Sequence, residues 1–133
     1  MKHIPSIVGA LLGLLFIVFG LVVLLRLVAM PPLPEGTPAA LFMGAFAPTG
    51  YLTFVKVLEV FGGILLMIPF TRNFGLLIIG PIIVNILAFH VFIMGGATLA
   101  DPVLIVICLM GAYLLWDARK KFLGLLGTRT EKI

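Results

Sequence analysis

Residues 4–30 read IPSIVGALLGLLFIVFGLVVLLRLVAM, an apolar run broken only near its end by Arg26. A helix rises about 1.5 Å per residue, so about 20 residues span a hydrocarbon core about 30 Å thick. The stretch is long enough to cross. Lys2 stands before it, which raises the alternative of a signal peptide. The run exceeds a signal h-region of about 7–15 residues, and no small-x-small cleavage site follows. It reads as a first transmembrane helix over about 4–30, stopped by Pro31 and Pro32, because proline lacks the N–H that a continuing helix needs.

Composition points the same way for the whole chain. Apolar residues make up 62% and charged residues 11% of the 133 residues, against roughly 45–50% and 25% in soluble domains. A soluble fold of this size has no interior large enough for that apolar surface, so lipid must cover it. The net charge of +4 does not imply nucleic acid. Arg119, Lys120, Lys121, Arg129 and Lys132 cluster after a hydrophobic segment, which is the pattern of membrane topology and of attraction to anionic lipid. The single cysteine, Cys108, excludes an internal disulfide and reads as a small buried hydrophobe.

Beyond the first run, Thr37 followed by Pro38 is a helix-start signal. The apolar stretch Ala39 to Ala47 is too short to cross a bilayer and predicts an interfacial or re-entrant helix in the first outer loop. Second, third and fourth transmembrane helices follow over about 51–69, 74–94 and 102–117, with a tight turn at 70–73. Gly95-Gly96 ends the third, and Asp101 with Pro102 caps the fourth. The expected fold is all-α: a polytopic membrane four-helix bundle forming one domain over 1–122, with a cytoplasmic tail over 123–133. Gly9-x-x-x-Gly13 with Gly20, and the pairs Gly62-Gly63 and Gly111-Ala112, predict close helix contacts within that bundle. A homo-oligomer face through the same glycines is the alternative.

With four spans, Lys2, Arg72, Arg119, Lys120, Lys121, Arg129 and Lys132 share one side, while the opposite loops hold Glu35 and Asp101 without Lys or Arg. The positive-inside rule then places both termini in the cytoplasm. Tyr51, Tyr113 and Trp116 fall at or near the interfaces and read as anchors.

Ionisable residues at membrane depth are expensive and usually face the bundle interior with a partner. Here they are Arg26, Lys56, Glu59 and His90, with Asn85 as a neutral companion. Helical rise puts Lys56 about 8 Å and Glu59 about 12 Å below the outer end of the second helix. The same measure puts His90 about 6 Å and Asn85 about 14 Å below the outer end of the third. Three helices therefore place polar groups in one leaflet. Lys56 and Glu59, at i and i+3, are set to pair. Asn85 and His90 lie about 140° apart on an ideal helix, so both reach one spot only if Pro81 bends the helix. Such a cluster is either a packing knot or a site. Arg26, Lys56 and Glu59 carry two positive charges and one negative, an excess that a small anion or a quinone carbonyl complements. Histidine changes charge near neutral pH as a residue type, which brings in proton transfer. Neither the methionines nor His3 with His90 form a metal-binding set, and no metal is expected.

The segments Lys56-Val57-Leu58-Glu59-Val60 with Gly62-Gly63, and Gly80-Pro81-Ile82-Ile83-Val84-Asn85-Ile86-Leu87-Ala88-Phe89-His90, resemble the DoxX family of small four-span bacterial membrane proteins. Gly20, the proline-rich start of the outer loop and the short element at Ala39–Ala47 extend the resemblance over about Ser6 to Phe122. It rests on K-x-x-E in one helix together with P-x-x-x-N-x-x-x-x-H in the next. Arg26 is not part of that pattern. The resemblance implies a membrane bundle in the bacterial plasma (inner) membrane, associated with redox or sulfur metabolism. Three functions compete: a non-catalytic membrane subunit or anchor with soluble redox protein partners, a quinone-using oxidoreductase component, and a small anion or proton carrier.

Overall fold

The computed structural model describes residues 3–127, so the readings placed on Lys2, Thr128, Arg129 and Lys132 lie outside the described residues. Among the described residues the chain is all helical. Its helices are α1 (Ile4–Leu24), α2 (Pro38–Phe46), α3 (Tyr51–Met67), α4 (Arg72–Ala88), α5 (Pro102–Asp117) and α6 (Arg119–Leu123). Helix α1 and the continuous segment Pro69–Ile93 are each long and apolar enough to cross a membrane. Two bent pairs, α2 with α3 and α5 with the segment Arg119–Leu126, turn by 80° and 70° at their breaks. Between two and four helices therefore qualify as spans.

Side-chain caps set two of the starts. The Thr37 hydroxyl accepts from the Ala40 N–H at 3.2 Å and opens α2. The Asp101 carboxylate accepts from the Leu104 N–H at 3.0 Å and opens α5. Both are followed by proline at the first helical position, where its missing N–H costs nothing. Two boundaries differ from the sequence reading. Helix α1 ends at Leu24 rather than near Met30. The expected turn at 70–73 is instead a 3₁₀ turn over Pro69–Thr71, and α4 starts at Arg72. The Thr71 hydroxyl donates to the Leu65 carbonyl at 2.9 Å and so satisfies one of the open carbonyls at the end of α3.

Glycine governs the packing. Helices α1 and α3 run antiparallel, with Gly9 against the Leu66 carbonyl, Gly13 against the Gly63 carbonyl and Gly20 against Val60 and the Lys56 carbonyl. On the other side of α3, Gly62 meets Ile79 of α4, and Gly75 of α4 meets the backbone of Leu65 and Leu66. The Gly62-Gly63 pair thus allows α3 to sit between two helices at backbone distance. Helix α5 touches both α1 and α4, with Gly111 receiving Ile83. Leu12 and Phe16 of α1, Leu66 of α3, Ile79 of α4 and Leu114 of α5 are essentially inaccessible and form the centre of the core. The outward faces carry exposed Leu11, Val18, Phe54, Phe61, Leu109 and Leu115, as lipid-facing surfaces would. The small-residue motifs are spent on contacts within one chain, as their intramolecular reading expects.

A methyl group at Gly13 would collide with the Gly63 carbonyl oxygen. We expect Gly13→Ala to lower stability in detergent by about 1–3 kcal/mol. Gly44→Ala, on open α2 surface with nothing within 4 Å of the added carbon, should be neutral or stabilising by up to about 1 kcal/mol. Thermal unfolding of both variants in one detergent checks the pair.

Candidate functional site

Helix α3 buries the stripe Glu59, Gly62, Gly63 and Leu66, spaced as one helix face requires. Glu59 therefore occupies a core position. At 3% exposure it is the one buried charged residue among the described residues. One turn earlier, Lys56 returns its ammonium to both carboxylate oxygens, at 3.2 and 3.3 Å. The Lys56 side chain keeps 19% exposure, so its stem covers the pair while its head stays near the surface of the bundle. Gly20 of α1 closes over this turn: a Cβ there would lie 2.6 Å from Val60 Cγ2 and 3.2 Å from the Lys56 carbonyl. Lys56 is the only hydrogen-bond partner of the Glu59 side chain among the described residues.

The other three candidate residues do not join them. Arg26 lies beyond the end of α1 and is exposed, not one turn inside the helix. The Leu27 N–H bonds to the Val22 carbonyl at 2.9 Å and the Arg26 N–H to Val23 at 3.2 Å. These two bonds make a Schellman stop, with Arg26 at φ 54° in the left-handed position that glycine ordinarily takes. Asn85 faces outward and donates its side-chain amide to the Pro81 carbonyl of its own helix at 3.2 Å. His90 sits in a π-helical turn over Phe89–Ile93 that carries α4 onward, closed by Met94 N–H to Phe89 carbonyl at 2.9 Å. Its Nδ1 pairs with the Thr98 hydroxyl across the following loop. The Gly96 N–H bonds the His90 carbonyl at 2.8 Å, with Gly95 and Gly96 both at positive φ. Of the five candidates the structure therefore brings together Lys56 and Glu59 alone. The early stop of α1 leaves Arg26 exposed, while His90 pairs with Thr98 and Asn85 with the Pro81 carbonyl.

The π turn does carry a second constellation. Phe89 stands edge-on to His90, with ring centres 5.7 Å apart, and packs on Phe42 of α2 at 5.3 Å. Phe42 continues to Phe46 at 5.0 Å and Phe46 to Tyr51 at 4.9 Å. Tyr51, read as an interfacial anchor, is thus the last ring of a row that ties α2 to the end of α4. Sequence reading also missed a role for Arg72. Its Nη2 donates to Ser6 Oγ at 2.9 Å, and its Nε is buried without a partner against Gly9. No local signal announces this bond, since its partners lie 66 positions apart.

Fold and site together define an all-helical, strongly apolar protein with membrane-capable helices and a buried Lys–Glu pair on one of them. In sequence the chain is 33% identical over 130 residues to the uncharacterized protein YwoB of Bacillus subtilis (strain 168), covering 93% of this chain and 82% of the relative. The chain belongs to the family of that protein. No family model matches it, and no solved structure does.

Two stability tests follow from the site. Lys56→Met leaves Glu59 buried without its cation and should destabilise by up to about 3 kcal/mol. The double variant Lys56→Met/Glu59→Gln should recover most of that loss, and an unfolding double-mutant cycle reads the coupling. Arg26→Gly removes a side chain from a left-handed residue and should raise stability by roughly 1 kcal/mol, seen as a higher unfolding midpoint.

Proposed function

We propose that this protein is a four-span bundle of the bacterial plasma membrane, of DoxX type, acting as a non-catalytic membrane subunit or anchor for soluble redox partners. In this reading α1, α3, α4 with its π turn, and α5 each cross the bilayer. Helices α3 and α5, at 17 and 16 residues, reach about 24–25 Å by helical rise, a few ångströms short of the core. Helices α2 and α6 then lie at the boundary where each short span ends. Arg72, Arg119, Lys120 and Lys121 fall on one side, which the positive-inside rule makes cytoplasmic. Both termini share that side.

The observation that supports an anchor over a carrier or a quinone site is the separation of the polar groups. A translocation or redox site needs convergent polar atoms around an accessible volume. Here Glu59 is closed by Lys56, His90 by Thr98 and Asn85 by its own helix. A hollow of about 170 Å³ between Leu15, Pro102, Val103 and Val106 is lined by apolar groups alone. A bundle of this kind offers surfaces rather than a reaction chamber. The redox association rests on the resemblance of K-x-x-E and P-x-x-x-N-x-x-x-x-H.

Native mass spectrometry of the tagged full chain, extracted gently from its own membrane, tests the reading. We expect a soluble protein at fixed stoichiometry. A solitary bundle holding a small lipophilic molecule, released by Glu59→Gln, would overturn it in favour of a binding site.

A further inference from the structure

Past Asp117 the chain does not run straight out of the bundle. It turns by 70° into the segment Arg119–Leu126, made of α6 and a short 3₁₀ turn over Gly124–Leu126. The turn is built at Ala118, which is buried against the body. At about 100° per residue, Phe122, Leu123 and Leu126 fall within one arc of about 100°, Lys120, Lys121 and Gly124 fall within another, and the exposed Leu125 lies between them. Phe122 packs against the core from the edge of the first arc. Leu123 and Leu126 continue it outward at 62% and 71% exposure. Arg119 belongs to the apolar arc by angle, but its charge is folded back: the guanidinium lies 4.0 Å from the Trp116 ring centre and donates to the Trp116 carbonyl at 2.7 Å. That leaves Lys120 and Lys121 exposed, without a described ion pair, on a segment free of Asp and Glu from Ala118 to Gly127.

We infer that the segment Arg119–Leu126 is a binding surface for anionic phospholipid headgroups. The bend lays it along the bilayer boundary. Leu123 and Leu126 enter the acyl edge, and Lys120 and Lys121 meet the phosphates. Trp116 sits at headgroup level beside them, where an indole is favoured. The match is one of charge and of amphipathic geometry together: an apolar edge continuous with the membrane-facing bundle, and a cationic edge whose lysines make no ion pair among the described residues. The inference rests on the proposed membrane insertion of α5, and not on which soluble partner the protein has.

The test uses the full chain in nanodiscs of phosphatidylcholine mixed with phosphatidylglycerol. Native mass spectrometry then counts the lipids that stay bound. Both leaflets carry the same mixture, so the result does not depend on chain orientation. We expect retained lipid to be enriched in phosphatidylglycerol, and the enrichment to fall by roughly an order of magnitude in Lys120→Gln/Lys121→Gln, since each cation near the surface is worth about fivefold in attraction. Lys120→Arg/Lys121→Arg should keep it, which separates loss of charge from loss of fold. No enrichment, or equal enrichment in the glutamine variant, overturns the inference. So does a glutamine variant that keeps its phosphatidylglycerol but loses a soluble protein held in native membranes, because the lysines would then serve that protein.

Discussion

The packing of the bundle depends on the approach of α1 to α3 at Gly13 and Gly63. In hydrocarbon, two apolar helices gain little by hiding from their surroundings, because lipid tails are as apolar as leucine. Association must come from atoms that meet more closely than lipid allows. Gly9, Gly13 and Gly20 provide such contact along three successive stations of α1, against the carbonyls of Leu66, Gly63 and Lys56 and, at Gly20, the Val60 side chain. Toward α4, Gly75 meets the backbone of Leu65 and Leu66, and Gly62 receives the Ile79 side chain. Helix α3 is consequently the element whose position constrains the others, and α5, with fewer close contacts, is added to an existing three-helix layer.

That packing decides what the buried carboxylate can be. Glu59 continues the same face as Gly62 and Gly63, so it enters the core because its helix is held there. The cation comes from the same helix one turn away, and α1 covers the turn through Gly20. An i, i+3 pair of this sort needs no neighbouring helix to supply the counter-charge. It lets a charged residue be inserted without an unpaired charge in lipid, whose cost is several kcal/mol. Lys56 and Glu59 thus neutralise each other within one turn of α3.

Sequence reading was strongest where one local cause acts. Thr37 and Asp101, each followed by proline, marked helix starts that the structure places at Pro38 and Pro102. The contact of Lys56 with Glu59 needed only helical spacing. The glycines were legible as packing residues because lipid leaves few other reasons for them. The misses share a different cause. Arg26 and His90 were placed by extrapolating ideal helices, and an irregularity intervened in each: a left-handed stop at Arg26 and a π turn at His90. Asn85, which ideal spacing already turned away from His90, gives its amide to the Pro81 carbonyl. A hydropathy run through Met30 cannot reveal that the backbone has already turned, since the residues beyond Leu24 stay apolar. Arg72 was counted only as a topological charge, because its bond to Ser6 joins residues 66 positions apart.

The irregular ends also have a common logic. In the proposed four-span arrangement α3 and α5 are the two spans whose lengths fall short of a full crossing, and they are the two joined at a sharp angle to a further helix. A short span exposes its terminal turns where lipid gives way to headgroups. Continuing straight would carry apolar side chains such as Phe42 and Leu123 into water. Turning by 80° or 70° instead keeps them at the boundary. The row of rings from Tyr51 through Phe46 and Phe42 to Phe89 fixes the first turn. The stacking of Arg119 on Trp116 fixes the second. One end is thus held by aromatic contact to the next helix and carries no basic residue, while the other is held by a cation folded back on an indole and leaves two lysines facing outward. That difference separates a cap on the bundle from a surface that meets charged headgroups.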